Sequence, residues 1–267
     1  MEDFGGPGNT RKKVNQDYVI KDTRNHFFAV ADGVGGLQYS EEASMLAATH
    51  FHYLVKRHIT GFDGENINEL DKDFVNDFAG QYLNQSIDLI NNLSKPSESR
   101  LHLFGTTLSA VILGNNFVSV VSVGDSPVYR FRENKLELLS VYDHDLSAFK
   151  GKSNIISRRE ANLSQYIGLG GKLDIHVNSD VLKNQDILVL MTDCATKYLT
   201  DNELSTIINE SKFEDIPANI FKATKNPDEL ILEYAKDKVI GYNEAKEKIM
   251  SEKGDDFSLV ALMAVRN

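Results

Sequence analysis

The residues Phe27-Phe28-Ala29-Val30-Ala31 form an unbroken apolar run that stops at Asp32-Gly33-Val34-Gly35-Gly36. A short apolar run bounded by polar residues reads as a buried strand. A carboxylate placed where such a strand emerges is held rigidly by the sheet beneath it. The glycines that follow remove side chains and admit backbone angles closed to other residues. The Gly33 carbonyl can then approach a ligand closely. A carboxylate beside an accessible carbonyl is a hard oxygen pair of the kind Mg²⁺ or Mn²⁺ prefers. Asp-Gly is also a common turn dipeptide, and taken alone a turn after a strand is the simpler reading.

The same pattern recurs along the chain. The apolar stretch 187–192 runs into Asp193, the stretch 117–123 into Gly124-Asp125, and Gly254-Asp255-Asp256 precedes a final strand over 257–265. Asp17 stands before a short strand over 18–21. Any one of these aspartates is an ordinary turn former or cap. Gathered at one sheet edge they would repel one another, and such a group persists only where cations neutralise it. Carboxylate, carbonyl and water ligands select Mg²⁺ or Mn²⁺. A carboxylate bridging two such ions sets up a two-metal site with the ions about 3.5–4 Å apart.

Between these points the pattern changes period. A helix starts at Ser40, a candidate N-cap followed by Glu41 and Glu42, and Ala43, Ala47, Phe51 and Val55 recur at helical spacing. A second helix covers about 71–93. From 106 to 141 the pattern is a run of hairpin-linked strands over 106–113, 117–123, 128–132 and 136–141. Helical patterns return over 202–209 and much of 228–252. Two long helices set into antiparallel strands predict an α+β architecture rather than βαβ units. The stretch 146–171 carries Lys150, Lys152, Arg158 and Arg159 and reads as a mobile basic segment over a site.

A chain of 267 residues with 41% hydrophobic content supports one large core, so a single domain over 1–267 is expected. The net charge of −10 disfavours non-specific nucleic-acid binding, which draws on Lys and Arg. Cys194 is the single cysteine, which excludes an intrachain disulfide. No apolar run approaches the roughly 20 residues of a membrane span, and the N-terminus lacks the apolar core of a secretion signal. A reducing cytoplasm is the expected compartment and a monomer the expected state. The histidines form no metal-ligand spacing, and His144 is expected in a solvated or capping role.

Taken together, the motifs RKKVNQD (11–17), VADGVGG (30–36), FGTTL (104–108), VGDS (123–126), ILVLMTD (187–193) and GDDFSLV (254–260) resemble those of the metal-dependent protein phosphatases, also called type 2C serine/threonine phosphatases, in their bacterial form. They occur in the family's order across nearly the whole chain. The resemblance implies a four-layer α-β-β-α sandwich, two antiparallel sheets face to face and flanked by helices. It implies hydrolysis of phosphoserine and phosphothreonine by a water or hydroxide bridging two Mn²⁺ or Mg²⁺ ions. By the same resemblance Asp32 bridges the metals, the Gly33 carbonyl binds one, Asp193 and Asp255 complete the other's shell, and Asp17 holds water. Asp125, with Asp193, implies a third, weaker site. Phosphorylated proteins are the implied substrates and a cognate Ser/Thr kinase the implied counterpart.

The chain departs from the family in places. Lys12, preceded by Arg11, stands where an arginine usually grips phosphate, and a lysine lacks the bidentate fork. Gln16 replaces a frequent glutamate, Val34 a histidine of animal-type members, Cys194 a glycine, and Pro127 an arginine. These departures motivate an alternative, a weak or inactive phosphatase-like module that binds partner proteins. A phosphoesterase for small or nucleotide phosphates is a third reading. Cys194, beside Asp193, is expected to be a small buried thiol rather than a nucleophile.

Overall fold

The computed structural model describes residues 15–61, 71–93, 103–145, 152–225, 227–251 and 256–264. Strands β1 (Asp17–Asp22) and β2 (Phe27–Asp32) pair antiparallel with Asp17 opposite Asp32. Helices α1 (Ser40–Gly61) and α2 (Lys72–Leu93) follow, then β3 (Leu108–Leu113) and β4 (Phe117–Val123). After them come β5 (Val128–Arg132), β6 (Lys135–Leu138), α3 (Asn154–Glu160), β7 (His176–Val181) and β8 (Ile187–Met191). Helices α4 (Asp201–Glu210), α5 (Ile216–Thr224), α6 (Asp228–Lys238) and α7 (Tyr242–Ser251) precede β9 (Leu259–Met263). One sheet has the order β1-β2-β3-β4-β7 and the other β6-β5-β8-β9, with every pair antiparallel.

The period-two alternation of the strands sorts the layers. On β2, Phe27, Ala29 and Ala31 pack with Phe51 and Val55 of α1 and Leu83 and Ile87 of α2, while Phe28 and Val30 pack with Leu188 and Leu190 of the other sheet. On β8 the residues between, Val189 and Met191, pack against Leu204 and Ile208 of α4 and Ile220 of α5. Both faces of β2 and of β8 are thus covered, which is why these strands read as unbroken apolar runs. The layers are helices, sheet, sheet, helices, as expected for the α-β-β-α sandwich. A further cluster joins Ile155 and Ile156 of α3 to Tyr198, Leu230, Tyr234 and Ile249, with Cys194 buried in it.

Some expectations are corrected. Ser40 does not cap α1: it is the first residue of that helix, and its Oγ donates to the Val34 carbonyl at 2.5 Å, tying the helix start to the glycine turn. The residues 123–128 are no hairpin, because β4 and β5 lie in different sheets and Gly124–Pro127 carries the chain across. The elements α3, α5 and β7 were not expected. Strand β7 is an edge strand of sequence HVNSDV whose pattern is mostly polar, so it lacks the apolar signature of the central strands. Within 146–171, residues 146–151 lie outside the described residues. Among the described residues no helix is long and apolar enough to cross a membrane.

Candidate metal centre

Asp32 ends β2, and the residues around it fix its backbone. Its carbonyl accepts from Thr107 N at 2.8 Å and Thr106 Oγ1 at 2.9 Å, and its N–H donates to Thr107 Oγ1 at 3.1 Å. Thr107 Oγ1 in turn bonds Ser126 Oγ at 2.7 Å. The FGTTL and VGDS motifs therefore form one clamp on the strand end. Gly124 belongs to it too: its φ is +99°, and a Cβ there would lie 2.7 Å from Thr107 Cβ. Gly33 N donates to Gln16 O at 3.1 Å, and a Cβ on Gly33 would lie 2.6 Å from Ser40 O and 2.8 Å from Gln16 O. A close backbone crossing, rather than a positive φ, demands glycine at 33.

Three of the expected carboxylates converge. Asp32 of the first sheet, Asp125 of the crossover and Asp193 at the end of β8 line one cleft of about 280 Å³, with Gly33 beside them. Asp125 and Asp193 are buried, 5% and 8% exposed. Asp17 stands one step back: it pairs with Asp32 in register, and its Oδ2 accepts from Thr192 Oγ1 at 2.9 Å across the two sheets. Asp255, Lys12 and Arg11 lie outside the described residues. The neighbouring Asp256 is described, and its Oδ2 accepts from Gln16 N at 2.7 Å, bringing the C-terminal motif to the Asp17 segment.

The donors fit a hard divalent cation: all are oxygens, they come from converging carboxylates, and the adjoining backbone at Gly33 has no space for a side chain. Among the described residues no three Asp, Glu, His or Cys side chains stand close enough to form a ligand set unaided. The chain's own cations enter the same cleft. Arg159 and Lys197 line it, and Lys197 Nζ lies 2.5 Å from Asp193 Oδ2.

His144 has neither the solvated nor the capping role expected of it: it bonds a carboxylate of the cleft. Its side chain is 4% exposed, stacks on Tyr142, and holds Asp125 Oδ2 at 2.8 Å through Nε2. Its neighbour Asp143 takes Gly124 N at 2.7 Å and His176 Nε2 at 2.8 Å. The sequence signal for these contacts is only the Asp143-His144-Asp145 run; their partners lie far along the chain.

Helix α3 brings Arg159 to the cleft and buries Arg158 behind it. Arg158 Nη1 donates to Tyr129 OH at 3.1 Å, Tyr142 OH at 3.4 Å and Asp201 Oδ1 at 2.9 Å. Burial lowers the guanidinium's pKa, but Tyr142, Tyr129 and Asp201 outweigh it and hold the group above its ordinary value. Burial likewise pushes the Tyr129 and Tyr142 phenols up, so all three tie α3 to the sheet without titrating near neutrality.

Comparison with known proteins agrees with this arrangement. The model of the protein phosphatase 2C family matches residues 8–236. A serine/threonine phosphatase, stp, of Listeria welshimeri is 27% identical over 235 residues, 84% of each chain. The serine/threonine phosphatase of S. agalactiae superposes with a TM-score of 0.69 at 18% identity, over 96% of this chain and 95% of that one. The catalytic domain of the serine/threonine protein phosphatase PstP, solved in complex with two manganese ions, does so with a TM-score of 0.60 at 18% identity, over 94% and 91%. With its family match running from the Arg11–Asp17 motif through α6, and its carboxylates drawn from both sheets to one edge, the chain belongs to the protein phosphatase 2C family.

Proposed function

We propose that this chain is a Mn²⁺- or Mg²⁺-dependent serine/threonine protein phosphatase, hydrolysing phosphoserine and phosphothreonine in proteins that a Ser/Thr kinase has modified. The convergence of Asp32, Asp125 and Asp193 on one cleft carries this reading. The naming of the Listeria relative as a serine/threonine phosphatase and the two manganese ions of the PstP structure support it.

In this reading Asp32, the Gly33 carbonyl, Asp193 and Asp255 would hold the paired ions, and Asp125 would serve a third, weaker site. Bound divalent ions supply acidification of water at neutral pH and charge neutralisation at phosphate. The chain's residues supply position. The Thr106–Thr107 clamp fixes Asp32, and Asp17, oriented by Thr192 one step behind the cleft, would hold water at the ions. Arg159 at the cleft, with Lys12 and Arg11, offsets charge on the phosphoryl oxygens. The phosphorus–oxygen bond to Ser or Thr breaks as water adds, and the alcohol and phosphate leave. Cys194 takes no part, being 7% exposed and packed with Ile155 and Tyr198.

One observation favours the alternative of a partner-binding module: the Lys197 ammonium on Asp193. Hydrolysis of p-nitrophenyl phosphate and of a phosphothreonine peptide, with and without Mn²⁺, separates the two. Metal-stimulated turnover is expected, falling at least about a hundredfold in Asp32→Ala and Asp193→Ala. No metal-stimulated turnover in the parent chain would count against the enzyme.

A further inference from the structure

The cleft contains a cation of its own, placed there by local geometry. Asp193 opens a turn in which its carbonyl accepts from Lys197 N at 2.9 Å and from Thr196 Oγ1 at 3.1 Å. That turn sets Lys197 one helical turn beyond Asp193, the spacing at which side chains meet. The ammonium is 2.5 Å from Asp193 Oδ2, with the carboxylate side chain 11% exposed and the lysine 28%. The contact at Asp125 differs: its partner His144 is buried to 4% and held by stacking, so it has nowhere to go. Lys197 has a flexible stem and an open side, so it can leave.

We propose that Lys197 is a resident counter-ion of the cleft that contends with the divalent cation for Asp193, and so sets the metal concentration at which the site fills. This rests on the proposed function. An ammonium and a doubly charged ion brought to one carboxylate repel each other. With the ammonium swung off Oδ2 to about 6 Å from the ion, the repulsion in a water-like dielectric is of the order of a tenfold change in affinity. Without an ion, Lys197 offsets part of the repulsion among Asp32, Asp125 and Asp193. When an ion arrives, the ammonium is driven from Oδ2 while the turn keeps its backbone at the rim. The arrangement trades metal affinity for tolerance of the metal-free state.

The test is a Mn²⁺ titration of the full chain by calorimetry, with bound Mn²⁺ counted by electron paramagnetic resonance. Lys197→Met removes the charge and keeps the apolar stem. It should tighten the ion held at Asp193 about tenfold, Lys197→Arg should stay within about twofold of the parent, and Lys222→Met, an exposed change on α5, should do nothing. Lys197→Gln repeats the measurement should the Met variant fold poorly. Unchanged or weaker Mn²⁺ binding in the neutral variants overturns the counter-ion role and leaves the phosphatase reading standing. No Mn²⁺ bound by any of the proteins overturns both.

Discussion

At Gly33 the backbone leaves no room for even one methyl group. A Cβ there would sit 2.6 Å from Ser40 O and 2.8 Å from Gln16 O, both main-chain atoms that cannot swing aside. Gly33→Ala must therefore push the start of α1 away from β2 or shift Asp32. We expect a loss of about 2–3 kcal/mol in urea unfolding and a drop in phosphatase activity larger than the stability loss explains. Gly35→Ala is the control, since a Cβ there meets nothing within 4 Å. Asp32 and Gly33 were legible from sequence because an apolar strand, a carboxylate and a glycine adjoin one another. His144 and Lys197 were not. The partner of His144 is 19 residues away in the chain, and the Lys197 contact depends on a turn that no apolar period announces.

Among the elements, α3 is the one whose attachment bears on the cleft. Its seven residues are too short to be stable alone. Ile155 and Ile156 pack on α6 and α7, and Arg158 reaches Tyr129, Tyr142 and Asp201. Lys152 adds weaker ties to Glu160 and Asp237 at 3.3 and 3.2 Å. Arg158→Met should cost about 1–2 kcal/mol, since it removes the guanidinium's hydrogen bonds while Tyr129 OH keeps Tyr142 OH at 2.8 Å and Asp201 Oδ1 at 3.0 Å, and Asp201 remains half-exposed to water. Because Arg159 is carried on the same helix, KM for a phosphopeptide should rise, while Mn²⁺ affinity stays within about twofold of the parent. Steady-state kinetics and calorimetry check the split. The sequence gathers Arg158 and Arg159 in one basic segment and says nothing of their opposite orientations, one into the protein and one into the cleft. That division is set by what α3 packs against. The long helices and central strands were legible because both faces or one full stripe are apolar; α3 and the edge strand β7 bury too little to show a period.

For the molecule as a whole, the cleft lies where the two sheets meet, and its carboxylates come from both. Asp32 belongs to the first sheet, Asp193 to the end of the second, and Asp125 to the crossover joining them. The Asp17–Thr192 bond and the Asp256–Gln16 bond cross at the same edge. Like charges there oppose the packing of sheet on sheet that the interior valines and leucines drive, so a cation bound at this edge would staple the fold. Any ligand that binds only the native state adds RT ln(1 + [L]/Kd), about 2.7 kcal/mol at a hundredfold excess over Kd. For a chain of 267 residues that corresponds to a rise of about 5–10 °C in melting temperature. Differential scanning calorimetry with rising Mn²⁺ should show this shift, and excess EDTA should reverse it. Asp193→Asn should lose most of the shift, because it removes a charge that draws the ion. Without metal, Asp32→Asn should melt at or above the parent's temperature, since it relieves repulsion at the edge while the Thr106–Thr107 clamp on its backbone remains. A metal-free Asp32→Asn protein clearly less stable than the parent would mean that the carboxylate holds the sheets together by itself, and that no cation is needed to explain its place at the junction.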